Sequence, residues 1–217
     1  MKMAVYATVS LAAAAAVMTG CSDSEVKSDS SVTSVVTSST LAAPVEPVID
    51  AANCAQPSVE PVEWKAFRLP GGQQRPTLRV PVMAGWVLDS SNAGTGSSVK
   101  ATLSNPSLAR DGVTPTLVVA VSTADSDFND YVQGLQAADG VSGFNSTPTS
   151  VCGLDARRVS YTKATAGQAP LATTAAMVNV PNDTGGLFVG VFSQTTDPAN
   201  PTYQADSAAV LDNIQVV

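Results

Sequence analysis

The chain contains no histidine. That absence removes the Ser-His-Asp triad, the His-paired catalytic thiol and every His-bearing zinc site. A serine hydrolase without histidine needs a Ser-Lys pair, and no G-x-S-x-G motif occurs. Aromatic residues are scarce, at 5%, and charged residues make up 13%. Basic groups are the rarer sign: 11 Lys and Arg stand against 18 Asp and Glu, a formal net charge of −7 over 217 residues. Such a chain lacks the basic footprint that nucleic acid requires. Its overall charge is repelled by anionic lipid headgroups, so membrane contact needs a hydrophobic anchor. Cysteine is limited to Cys21, Cys54 and Cys152. In an exported chain an odd count leaves one thiol for a purpose other than intramolecular pairing.

What is present begins with the N-terminus. Met1-Lys2 is a short positive start, and Met3 to Met18 is mostly apolar and Ala-rich. At about 1.5 Å per residue this stretch falls short of the ~30 Å hydrocarbon core. It reads as a signal peptide, residues 1–20, and not as a spanning helix. Met18-Thr19-Gly20-Cys21 resembles the lipobox of bacterial lipoproteins, with Thr19 and Gly20 at the small-residue positions. The resemblance implies that the Cys21 sulfur receives a diacylglyceryl group. Cleavage between Gly20 and Cys21 then leaves an N-terminus that carries acyl chains such as palmitate. Two or more chains give stable anchoring, at about 0.8 kcal/mol per buried CH₂. The alternative is an ordinary cleaved signal that leaves Cys21 free. With Cys21 acylated, Cys54 and Cys152 are left to each other, and an extracytoplasmic compartment permits that bridge.

Residues 22 to about 52 are rich in Ser, Thr, Val, Asp and Ala, hold no aromatic, and are broken by Pro44 and Pro47. They cannot bury enough apolar surface to order themselves. With Cys21 they form a tether over 21–53, with a root-mean-square span of roughly 30 Å. The globular domain is expected over 54–217.

Within that domain Thr77–Val82 alternates, placing Leu78, Val80 and Val82 on one face. Pro81 cannot donate to a ladder and suggests an edge strand. Val99–Leu103 and "TLVVAVS" (Thr116–Ser122) are further strands, the latter apolar enough to be central. Phe128, Tyr131, Val132 and Leu135 recur at helical spacing, with Gly140 as a stop. Alternation returns at Ala156–Tyr161, Thr174–Val180 and Leu187–Phe192. Tyr203–Asn213 reads as a second amphipathic helix with Ala205, Ala209, Val210 and Ile214 inward. Strands in a run with two helices suggest an α+β sheet with helices on its faces.

The order of acylated cysteine, Ser/Thr tether, "LRVPVMAGW" (Leu78–Trp86), apolar strand, "FNDYVQGL" (Phe128–Leu135), "CGLDARRVSY" (Cys152–Tyr161) and terminal helix resembles the mycobacterial LpqN/LpqT group of cell-envelope lipoproteins. The resemblance covers about residues 60–217. It implies a Mog1/PsbP-like α/β/α sandwich, mostly antiparallel. It also implies a non-enzymatic protein of the envelope that handles lipid or glycolipid, or binds other proteins there. It brings no catalytic residues and no cofactor.

Other sites are weaker. "DSDFND" (Asp125–Asp130) begins like a calcium loop, but Asp130 stands where Gly is needed and Gln136 where Glu is needed. A helix start, with Asp125 or Ser126 as N-cap, explains it better. "GTGSSVK" (Gly94–Lys100) lacks the phosphate-loop pattern. Asp155 and Asp183 lie next to turns and read as turn formers. Arg157 and Arg158 are adjacent on a strand and therefore point to opposite faces. Trp86, Tyr161, Phe188 and Phe192 suit a core. If the protein holds an acyl chain, a cleft between sheet and helix lined by such residues is its place.

Overall fold

The computed structural model describes residues 49, 51–70, 75–89, 98–124, 127–182 and 186–217. The signal region, Cys21, most of the tether, the Gly71–Gly72 turn, Gly94–Ser97, Asp125, Ser126 and Asp183 lie outside the described residues.

Among the described residues ten strands and two α-helices follow one another as β1 (Glu63–Arg68), β2 (Thr77–Val82), β3 (Val87–Asp89), β4 (Val99–Ser104), β5 (Thr116–Ala124), α1 (Phe128–Gln136), β6 (Val141–Val151), β7 (Leu154–Lys163), β8 (Leu171–Val180), β9 (Gly186–Thr195), α2 (Pro201–Asp212) and β10 (Gln215–Val216). Seven strands form one antiparallel sheet in the order β3-β4-β5-β9-β8-β7-β6, and β1-β2-β10 form a second. Strand parity divides the large sheet into two faces. Leu117, Val119 and Val121 of β5, Leu187, Val189 and Val191 of β9, and Ala176, Val178 and Val180 of β8 share one core with α2 and the small sheet. Val159, Ala175, Met177 and Phe188 face the other way and meet α1. The fold is α+β, an antiparallel sheet with a helix on each face.

The strand β2 is not at an edge. It lies between β1 and β10. Pro81 is tolerated there because of where its missing N–H points. Thr77 exchanges backbone bonds with Val217, so odd positions of β2 face β10. The β10 pairing reaches only Arg79, and Pro81 lies beyond it.

Proline also occurs in β6, which is an edge strand. Cys152 and Gly153 form the two-residue turn to β7 with φ of 51° and 80°, the left-handed pair that hairpins favour. That turn closes on Val151 and Leu154, so odd residues of β6 bond to β7. Pro148 therefore faces the free edge, where it blocks further pairing.

Both helices start on side-chain caps. The Asp127 carboxylate accepts from Asn129 N–H at 2.7 Å, so the N-cap of α1 is Asp127 and neither Asp125 nor Ser126. The helix ends at Gln136, before Gly140, which turns the chain closely past the Ala164 carbonyl. Asn200 caps α2 by accepting from the N–H groups of Thr202 and Tyr203 at 3.0 and 3.1 Å, and Pro201 opens the helix. The inward face of α2 is Tyr203, Ser207, Val210 and Leu211. Ala205 is exposed and Ala209 half-buried; the large Tyr203 ring, not the alanines, sets the rotation of the helix.

The N-terminal lead-in is clamped at two points. Cys54 and Cys152 form a disulfide, and Cys152 Sγ accepts from Val216 N–H at 3.4 Å. Asn213, buried after α2, accepts from Ser58 N–H at 2.8 Å and donates to the Ala209 carbonyl at 2.7 Å.

Candidate binding face on the large sheet

The structure separates the four aromatic candidates. Trp86 lies in the core shared with α2, where its indole N–H donates to Asp206 at 2.8 Å. The tight turn Met83–Trp86 puts it there, and Gly85 supplies the required φ of 82°. Phe188, Phe192 and Tyr161 all belong to the opposite face. Phe188 and Phe192 share it because they are four residues apart on β9. Tyr161 joins through the pairings Tyr161↔Thr173 and Ala175↔Phe192.

Two residues not foreseen as site residues complete this face. Tyr131 of α1 stacks over Phe188 at 4.9 Å between ring centres, beside Phe128 at 5.4 Å. Phe144 of β6 stacks on Tyr161 at 6.1 Å. Gly190 sits between Phe188 and Phe192 along β9. A Cβ there would overlap the Phe192 ring, so the glycine lets that ring lie down across the strand.

The face is half covered. The nine residues of α1 span about 13 Å, whereas the ten residues of β9 span about 33 Å. Phe128, Val132 and Phe188 are buried beneath the helix, while Tyr131, Leu135, Phe144, Tyr161 and Phe192 stay partly open. Burial raises the Tyr131 phenol above its ordinary value, and the Ser122 hydroxyl opposes the shift. Burial also raises Tyr161; the Thr173 hydroxyl pulls it down and the nearby Tyr131 phenol adds to the rise. Both rings therefore remain neutral donors at ordinary pH. The face offers apolar contact and a few hydroxyls.

Arg157 and Arg158 point to opposite faces as their adjacency requires. Arg157 donates to Asn129 of α1 at 2.8 Å and lies 3.6 Å from Asp155. Asn129 thus spends its carbonyl on a guanidinium, which removes a ligand from the calcium-loop reading. Among the described residues no cluster of three metal-ligating side chains occurs. Arg158 pairs with Asp212 of α2; burial holds its guanidinium below the ordinary value, and Asp212 pulls it back up. This pair borders a groove of about 290 Å³ between α2 and the sheet, which Thr174, Gln204 and Ser207 also line. None of Trp86, Tyr161, Phe188 and Phe192 lines it, so the four aromatics do not converge on that groove.

No protein-family model matches the chain, and no curated protein matches it. Solved structures do. LpqN of Mycobacterium tuberculosis, described as involved in cell envelope biogenesis, aligns with 17% identity over 71% of this chain and 91% of its own, at a TM-score of 0.53. The cyanobacterial PsbP of Synechocystis aligns with 13% identity over 75% of this chain and 98% of its own, at a TM-score of 0.47. The likeness to LpqN is a likeness of fold, and the chain has the α+β architecture, a mostly antiparallel sheet with helices on its faces, that the resemblance implied.

Proposed function

We propose that the chain is a lipid-anchored cell-envelope lipoprotein, displayed on the extracytoplasmic side, that acts as a non-enzymatic binding module. Its ligand is an amphiphilic envelope lipid or glycolipid. The observation that carries the ligand reading is the half-covered aromatic face: Phe144, Tyr161 and Phe192 lie partly open beside α1. An apolar chain laid there removes their surface from water, at about 25 cal/mol per Å², and the phenols of Tyr131 and Tyr161 can donate to a polar headgroup. The anchor rests on Met18-Thr19-Gly20-Cys21 after sixteen mostly apolar residues. The fold is shared with an envelope protein, which fits the location.

A second reading, a protein-interaction module without a small ligand, is favoured by the tight packing of the core. Leu78, Leu103, Leu117 and Leu187 are completely buried, and the groove beside α2 has a mixed polar lining.

Two experiments test these points separately. Metabolic labelling with an alkyne-tagged palmitate should mark the wild-type chain and leave Cys21→Ser unmarked. Native mass spectrometry of the chain from residue 22 onward, incubated with envelope lipid extract, should show a stoichiometric adduct. A bare protein peak across the extract moves the reading to protein partners.

A further inference from the structure

The arginines of this acidic chain fall into two groups. Arg110, Arg157 and Arg158 each pair with an aspartate: Asp197 at 2.7 Å, Asp155 at 3.6 Å, and Asp212. Among the described residues Arg68, Arg75 and Arg79 pair with no carboxylate, and all three belong to the β1–β2 hairpin. This clustering stands out in a chain where acids outnumber bases 18 to 11.

Strand parity puts them on one surface. Leu78, Val80 and Val82 turn inward to the core, so Thr77, Arg79 and Pro81 face outward. The pairings Arg68↔Thr77, Ala66↔Arg79 and Trp64↔Pro81 bring the matching side of β1 to that outer face. Leu69 N–H bonds to the Pro76 carbonyl at 2.9 Å, which carries the register on and keeps Arg75 in the same parity. Arg68 and Arg75 are exposed. The Arg79 guanidinium lies 4.9 Å from the centre of the half-buried Trp64 ring and donates to Gln215 at 3.2 Å. That stacking holds its charge in place without neutralising it. Val62, in the bend just before β1, is 73% exposed, the most exposed large apolar residue described.

We infer that the outer face of the small sheet is a docking surface for an anionic lipid bilayer. Three guanidiniums and an indole on a sheet face, with an open valine at the start of the hairpin, match the chemistry of a headgroup layer, which combines spread negative charge with an apolar boundary. The arginines are spread over the hairpin, Arg68 on β1, Arg79 on β2 and Arg75 just before it, which suits a surface better than a single ion. The inference extends the lipoprotein reading and rests on it for the identity of the membrane: the anchor supplies residence, and this face sets which way the domain lies. It also replaces the expectation of repulsion from overall charge. Contact is governed by the charge within a Debye length of the surface, about 8 Å at physiological salt, not by the sum over the chain.

The test is co-sedimentation of the unacylated chain, from residue 22 onward, with phosphatidylglycerol-containing and pure phosphatidylcholine vesicles. Because no acyl chain is present, its outcome is independent of whether Cys21 is lipidated. The expected result is binding to anionic vesicles only, weakened by salt, with Trp64 emission shifted to the blue and the shift lost in Trp64→Phe. R68Q/R75Q/R79Q should bind on the order of a hundredfold more weakly, roughly fivefold per arginine, while Arg110→Gln binds as wild type. R68Q/R75Q, which alters only exposed side chains, keeps the test sound if the triple variant misfolds, with a loss of roughly twenty-five-fold. Absent binding, equal binding to both vesicles, or anionic binding that R68Q/R75Q leaves intact overturns the inference. So does displacement by inorganic phosphate at constant ionic strength, which would mark a discrete anion site.

Discussion

The two faces of the large sheet are built differently. One is sealed: α2 and the small sheet cover it, and Leu103, Leu117, Val119 and Val191 are fully excluded from water. Polar ties reinforce it, from Trp86 to Asp206, from Ser193 to Tyr203 at 2.7 Å, and from Asn213 to Ser58. The other carries one short helix and leaves aromatic rings at its margin. The sealed face holds most of the buried apolar residues, and the open face leaves apolar groups partly in water. Marginal domains cannot expose such groups without a surplus elsewhere.

The largest expected effect tests the sealing. Reduction of Cys54–Cys152 frees a 98-residue separation and should cost up to about 4–5 kcal/mol in the loop-entropy account, read as a drop in denaturation midpoint with reductant. Next, Leu117→Ala on the sealed face should cost about 3 kcal/mol, and Phe192→Ala on the open face about half as much, since its ring is already partly in water. Equal costs would erase the distinction between the faces.

A smaller effect sharpens the geometry of the open face. Gly190→Ala should cost about 1–3 kcal/mol by driving a methyl into the Phe192 ring. In a Phe192→Ala background the same change should be nearly neutral, and additive costs would mean that the ring does not lie across Gly190. The smallest effect is alkaline. Burial holds Tyr131, Tyr161 and Tyr203 above the ordinary 10.0. The unfolded chain then releases those protons first, so their contribution is present in full below about 10 and is lost as pH rises through the folded values. Stability should fall over the pH range in which phenolate absorbance rises, and Tyr→Phe at each site should lessen the fall.

Sequence pattern sufficed where one face of a strand is buried. The core of β5, β7, β8 and β9 is visible in Thr116–Ser122, Ala156–Tyr161, Thr174–Val180 and Leu187–Phe192 because those strands lie inside the sheet. The edge strand β6 was not legible: "VSGFNSTPTSV" is exposed on most of its length and includes Gly143 and Pro148, which edges accept and interiors reject. Phe144 was missed with it. β1, "EWKAFR", was hidden by weak alternation. Pro81 misled because a proline forbids a donor at one residue only, and β10 is too short to need it. Half of the open aromatic face is readable, since Phe188 and Phe192 share a strand parity. Trp86 and Tyr161 cannot be assigned to faces until the register of separate strands is known.

The most direct test of the account is a titration of the isotope-labelled chain, from residue 22 onward, with an envelope glycolipid below its aggregation concentration, followed by amide and aromatic NMR shifts. The account predicts shifts that gather on Tyr131, Phe144, Tyr161 and Phe192 and leave the sealed core unmoved. Shifts centred on Arg158, Gln204 and Asp212, or spread evenly over both faces, would contradict it.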